Sequence, residues 1–148
     1  MPVVLQNRQR VVAIDRAWLR RTAEAVLSAA RADNSELSLE LVSDRRMRAL
    51  NRRYRKKDRP TDVLAFPLQE KRGQATFHSL SPFLLGDVVI SAPTAKRQAA
   101  ELGHGLREEL RRLLVHGVLH LLGYDHERGP RDAVLMARKE KAILKAIG

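Results

Sequence analysis

Three of the chain's five histidines fall in one short stretch, residues 114–129, LVHGVLHLLGYDHERG, as His116, His120 and His126. On a helix, residues four apart share a face, with Cβ atoms about 5–6 Å apart. His116 and His120 can therefore converge on one ion at bonds of about 2.0–2.1 Å. A third ligand from the next turn would crowd them, so the chain must leave the helix and return. Gly123 suits that exit, because glycine accepts the left-handed conformation that ends helices, and Tyr124 and Asp125 then bring His126 back. Hydrogen-bonded core histidines would account for any one of the three alone. The trio, with a turn glycine between its second and third members, argues for a metal site. Three neutral ligands leave a coordination position open, the pattern of a catalytic rather than a structural zinc, with one ion per chain. His78 and His104 lack such company and read as surface or capping residues, His104 also as a weaker candidate for a substrate contact.

The spacing matches the zinc-protease pattern H-E-x-x-H-x-x-G-x-x-H at every fixed position but the glutamate, where Gly117 stands. Glycine inside a helix costs about 1 kcal/mol relative to alanine and leaves the surface beside His116 bare. Either a close-packed strand or a substrate backbone needing room at the metal would explain it. Peptide hydrolysis wants a carboxylate beside the activated water. Phosphodiester cleavage, in which negative charge develops on phosphate oxygens, profits instead from a Lewis acid and a nearby arginine.

Arginine is abundant. Residues 45–60, RRMRALNRRYRKKDRP, carry nine Lys or Arg against Asp58 alone, so +8 of the chain's net charge of +11 lies there. A solvated helix face would be the bland account, but a run holding most of the excess charge points to a polyanion, bound through counterion release. A membrane surface fits less well, since no strongly apolar face accompanies the charge. There is no cysteine, so thiolate sites and disulfides are excluded. The opening MPVVLQNRQRVV has too short an apolar run for a signal peptide, and nothing approaches a membrane span, so a soluble cytoplasmic protein is expected.

The elements that must position these groups read as one α/β (α+β-like) domain over residues 1–148. Residues 3–5 and 11–14 look like short strands, and Asp15 can cap a helix over 16–32. Leu37, Leu39 and Leu41 alternate with polar residues, as in a half-buried strand. Ser43 or Asp44 caps a second helix that turns Met47, Leu50 and Tyr54 inward and its arginines outward. Further strands are expected over 62–68 and 86–92, with a polar loop over 69–82 between them. Pro93 opens a helix to about residue 102. The longest helix covers 106–122, with the metal site at its C-terminal end. A final helix over 131–147 presents Val134, Leu135, Ala142 and Ile143. About four strands in a mixed sheet and about five helices result.

The segment HGVLHLLGYDHE resembles the signature of the YbeY family of bacterial metal-dependent endoribonucleases, also described as rRNA maturation factors. LNRRYRKKDRPTDVLAFP, LLGDVVIS and REELRRLLVHG fall in the family's order, so the resemblance runs from about residue 37 to the final helix. It implies a small α/β fold with zinc on His116, His120 and His126, in a cleft lined by positive charge. The family's functional arginine falls on Arg55, with Arg59 as a second candidate. Ala65 stands where many members have serine, a change for local hydrogen bonding more than for chemistry. The resemblance further implies rRNA processing and quality control at the small ribosomal subunit, with a small-subunit ribosomal protein and an Era-type GTPase as partners.

The resulting expectation is cleavage of single-stranded RNA, with Arg55 stabilising phosphate charge. Either water or the substrate's own 2′-hydroxyl could be the nucleophile. Arg52, Arg53, Lys56 and Lys57 would position the RNA backbone, while Asp62, Asp87 and Asp125 would orient the ligands. Asp62 and Asp87 have an alternative as strand-end residues that satisfy backbone amides. Two rival classes are a metalloprotease and a non-catalytic ribosome-binding factor with structural zinc.

Overall fold

Leu37, Leu39 and Leu41 are completely buried, which makes β2 (Glu36–Val42) an interior strand rather than a half-exposed one. β1 (Val3–Asn7) pairs with it in parallel on one side. β4 (Leu84–Ser91) pairs in parallel on the other, and β3 (Val63–Pro67) runs antiparallel to β4. The order is β1-β2-β4-β3, a four-stranded mixed sheet in a single α/β domain, as expected. This computed structural model describes residues 2–68 and 84–148, so the predicted polar loop over 69–82 and its His78 lie outside the described residues.

Alternation along β4 divides the two faces. Val88 and Ile90 join the main core with α1 (Arg16–Ala29), α4 (Leu106–Leu121) and α5 (Pro130–Ile147). Val89 faces the other way, with Val42, Leu64 and Met47 of α2 (Asp44–Arg55). α1 and α2 begin where their caps predict. Asp15 Oδ1 accepts from the Trp18 N–H at 3.0 Å, and Ser43 Oγ accepts from the Arg46 N–H at 3.2 Å. Pro93 sits in the first turn of α3 (Ala92–Leu102), where no intrahelical N–H is needed.

Three local readings need correction. Residues 11–14 are not a strand: the Gln9 side chain takes the Val12 N–H at 2.9 Å and donates to the Val12 carbonyl at 2.8 Å, replacing the ladder partners a strand would need. On α5, Met136 and Ile143 are the buried residues, while Val134 and Leu135 are exposed. Tyr54 is not buried with Met47 but half-exposed, its ring set against Phe66 at the rim of the small core.

Candidate metal centre

Helix α4 is buried along most of its length and runs over β3 and β4, carrying His116 and His120 to its C-terminal end. It then stops in a Schellman turn. The Gly123 N–H bonds to the His120 carbonyl and the Tyr124 N–H to the Leu119 carbonyl, both at 3.0 Å, with Gly123 at φ +99°. The reversed chain enters a single 3₁₀ turn, His126–Arg128, capped by Asp125 Oδ1 on the Glu127 N–H at 2.9 Å. His126 thereby faces the two helical histidines.

The three rings stand 4.7, 5.2 and 5.5 Å apart between centroids, and one nitrogen from each lies within 4.8 Å of the others. Nitrogens bound to one tetrahedral ion at about 2.0–2.1 Å sit about 3.4 Å apart, so small rotations of the rings suffice. The donor chemistry fits as well. His116 Nδ1 lies 2.9 Å from Glu140 Oε1, on α5. An ionised carboxylate can only accept, so the proton belongs on Nδ1 and the Nε2 lone pair is left for an ion. Burial, and then the neighbouring His116 and His126, hold His120 below its ordinary pKa. The neutral form that a metal requires is thus favoured before any ion arrives.

Across from the histidines lies Arg55, in the last turn of α2, whose Nη2 reaches Glu127 Oε1 at 3.4 Å. Together with β3 these groups bound a cleft of about 480 Å³. Gly117 forms part of its floor, and the reason for a glycine there is a close-packed strand. A Cβ at this position would lie 2.8 and 3.1 Å from the two methyls of Val88 and 3.4 Å from Val63. The helix surface beside His116 is therefore covered by β4, not bare.

A family model described as endoribonuclease YbeY matches residues 4–148. The chain belongs to the YbeY family. A relative from Aquifex aeolicus named endoribonuclease YbeY is 46% identical over 145 residues, covering 98% of this chain and 91% of the relative. Another of that name, from Pelotomaculum thermopropionicum, is 47% identical, covering 97% and 95%. A solution structure of a Thermotoga maritima protein superposes with a TM-score of 0.63 over 98% of this chain and 88% of that one, and at 24% identity it shows the fold alone.

Of the residues expected to act in this YbeY-family site, Arg55 is brought to the cleft. Arg59 is exposed and does not line it, and its carbonyl anchors the Asn51 side chain at 2.8 Å. Arg52, Arg53, Lys56 and Lys57 are exposed and make no ion pair among the described residues. They form a basic rim. The cleft itself is not lined by positive charge. Among the described residues its one cationic side chain, Arg55, faces three carboxylates, Asp62, Asp125 and Glu127.

None of the three aspartates expected to orient the histidines makes a hydrogen bond to a histidine ring among the described residues, whereas Glu127 Oε1 lies 3.9 Å from His126 Nε2. Asp62 Oδ1 accepts from the Val63 N–H at 2.8 Å and Oδ2 from Gln98 at 3.2 Å, the strand-end role. Asp87 lies on the Val89 face of β4, so the sheet separates it from the histidines. Asp125 caps the turn that carries His126, and the Glu127 N–H it accepts lowers its pKa. Sequence reasoning missed Glu140, because nothing in α5 marks which carboxylate will meet α4. It also missed Glu109, fully buried and bonded to Arg112, Gln98 and His104. His104 is thus a partner of a buried acid rather than a surface residue.

Proposed function

We propose that this chain is a zinc-dependent endoribonuclease of single-stranded RNA, acting in rRNA processing and ribosome quality control. A single domain, residues 1–148, carries the activity. The observation that supports it best is the juxtaposition of three histidine donors with Arg55 across one cleft, in a chain of the YbeY family. His116, His120 and His126 hold one Zn²⁺ per chain. When bound, the ion supplies Lewis acidity to the scissile phosphate and to water.

The chain's own residues supply the rest. Arg55 offers two parallel N–H donors to two phosphate oxygens and meets charge that grows as the phosphorus gains its fifth oxygen. An incoming phosphate takes the place of Glu127 on that guanidinium. Arg52, Arg53, Lys56 and Lys57 hold the backbone on either side through charge alone. Arg59 is a second choice for the catalytic arginine, ranked below Arg55 because it does not line the cleft. Asp125 positions the turn bearing His126. Among the described residues no helix is long and apolar enough to cross a membrane, in keeping with a cytoplasmic enzyme at the small ribosomal subunit. A small-subunit ribosomal protein and an Era-type GTPase are its partners in this reading.

The spacing of the histidines alone would also suit a protease. The deciding experiment offers metal-loaded protein both labelled single-stranded RNA and casein, beside a chelated control and a His116→Ala variant. Metal-dependent RNA cleavage that His116→Ala abolishes is expected. Casein cleavage without RNA cleavage would replace the reading by a protease, and neither activity would leave a binding factor with structural zinc.

A further inference from the structure

Tyr54 is 51% exposed, and among the described residues no other aromatic side chain is exposed to that degree. Isolated apolar residues on a surface need no explanation. The position of this one does. It lines the same cleft as the histidines and immediately precedes Arg55 in the last turn of α2. The ring also has packing neighbours. It meets Phe66 edge-on, with centroids 5.0 Å apart and planes at 62°, and the Arg53 guanidinium lies 5.4 Å from its centroid.

We infer that Tyr54 is a stacking platform for the nucleobase next to the phosphate held by Arg55, so that the cleft selects RNA with an unpaired base at the cut. The inference rests on the RNA-cleaving reading above and adds the feature by which single strands are chosen. In a duplex the faces of each base are covered by its neighbours, and a ring fixed on the cleft wall has nothing to stack on. An unpaired base can turn outward and lie on the ring. Aromatic side chains bind single strands in this way with little sequence preference, because every base has a π-face. A ring already held by Phe66 and Arg53 loses little freedom when it does so. The backbone contact and the base contact then come from consecutive residues. Arg55 reads a group every RNA has, and Tyr54 reads a state that only unpaired RNA offers.

The test uses the full chain and a short single-stranded RNA, with chelator present so that binding is read without cleavage. Each base is removed in turn to leave an abasic site. One abasic position should weaken wild-type binding by roughly fivefold to a hundredfold, the range for loss of one base–aromatic stack. Tyr54→Ala should weaken intact RNA by the same factor and lose nothing more on the abasic RNA. Tyr54→Phe should behave as wild type. Tyr54→Leu, which keeps an apolar side chain against Phe66 without a π-face, should behave as Tyr54→Ala. A 2-aminopurine at the sensitive position should be quenched by wild type and Tyr54→Phe but not by the alanine or leucine variants. If the abasic and Tyr54→Ala losses add in full, or if Tyr54→Phe is as weak as Tyr54→Ala, the platform is refuted while the nuclease reading stands. A wild-type chain that neither binds this RNA nor cleaves it once metal is restored overturns both.

Discussion

Replacing Gly117 by alanine sets two effects of similar size against each other. Alanine inside a helix gains about 1 kcal/mol over glycine. Against it, the new methyl would enter a space already occupied, 2.8 Å from Val88 Cγ1 and 3.1 Å from Cγ2. Val88 is fully buried and β-branched, so it has little rotamer freedom with which to yield. Overpacking of this kind costs about 1–3 kcal/mol. The expected net effect is a loss of up to about 2 kcal/mol, which for a domain of this size lowers Tm by up to roughly 4–8 °C. In a Val88→Ala background the clash is gone, and the same substitution should become stabilising by up to about 1 kcal/mol. Urea melts of the four proteins of this cycle measure the coupling. Stabilisation by Gly117→Ala in the wild-type background, with no dependence on residue 88, would refute the packing account. Gly117→Glu tests the chemistry at the same position. Its side chain starts into Val88 and Val63, so it should lower stability and RNA cleavage and create no protease. Robust casein cleavage by that variant would favour peptide hydrolysis.

Glu140→Ala should weaken zinc binding about 10–100-fold, the usual effect of removing the partner of a ligating histidine, with Glu140→Gln between it and wild type in a competition titration. Arg55→Lys should lower the saturated single-turnover rate and leave zinc content unchanged, whereas Lys57→Ala should weaken RNA binding and flatten its salt dependence at an unchanged saturated rate. The reverse pattern would exchange their roles. For the chelated protein, the lowered pKa of His120 means that the unfolded chain binds more protons than the folded one below about pH 6.5. Stability should therefore fall as pH drops from about 6.5 to the lower native value, and His120→Asn should remove part of that slope in urea melts.

The clustering of the three histidines was legible because a helix of period 3.6 fixes where His120 stands relative to His116, and because a glycine at Gly123 reports the turn that returns His126. The sheet was legible through Leu37, Leu39 and Leu41, although one strand cannot show whether it is interior, and so their burial exceeded what alternation suggested. Contacts between distant elements were not legible. Glu140 meets His116 across 24 residues of sequence and Glu127 meets Arg55 across 72, and no local pattern records either. Residues 11–14 misled because Val and Ile favour strands, while the Gln9 side chain had already taken the backbone groups that strand pairing would use. Tyr54 misled for a related reason. Helical spacing placed it on the face of Met47 but could not tell where the covering sheet ends.

The bond between His116 and Glu140 has a thermodynamic consequence for the C-terminal helix. Of the residues on α5, Met136 and Ile143 are the ones fully buried, a modest anchor for eighteen residues of helix. If a docked α5 tightens the ion by some factor, the ion must tighten the docking of α5 by the same factor, since the two equilibria share one cycle. Amide exchange along α5 should therefore slow on loading, by the same ten- to hundredfold that Glu140→Ala costs in affinity. In that variant the ion should no longer alter exchange in the helix. The last helix then serves as a clasp, and its opening and the loss of the ion are coupled in one equilibrium.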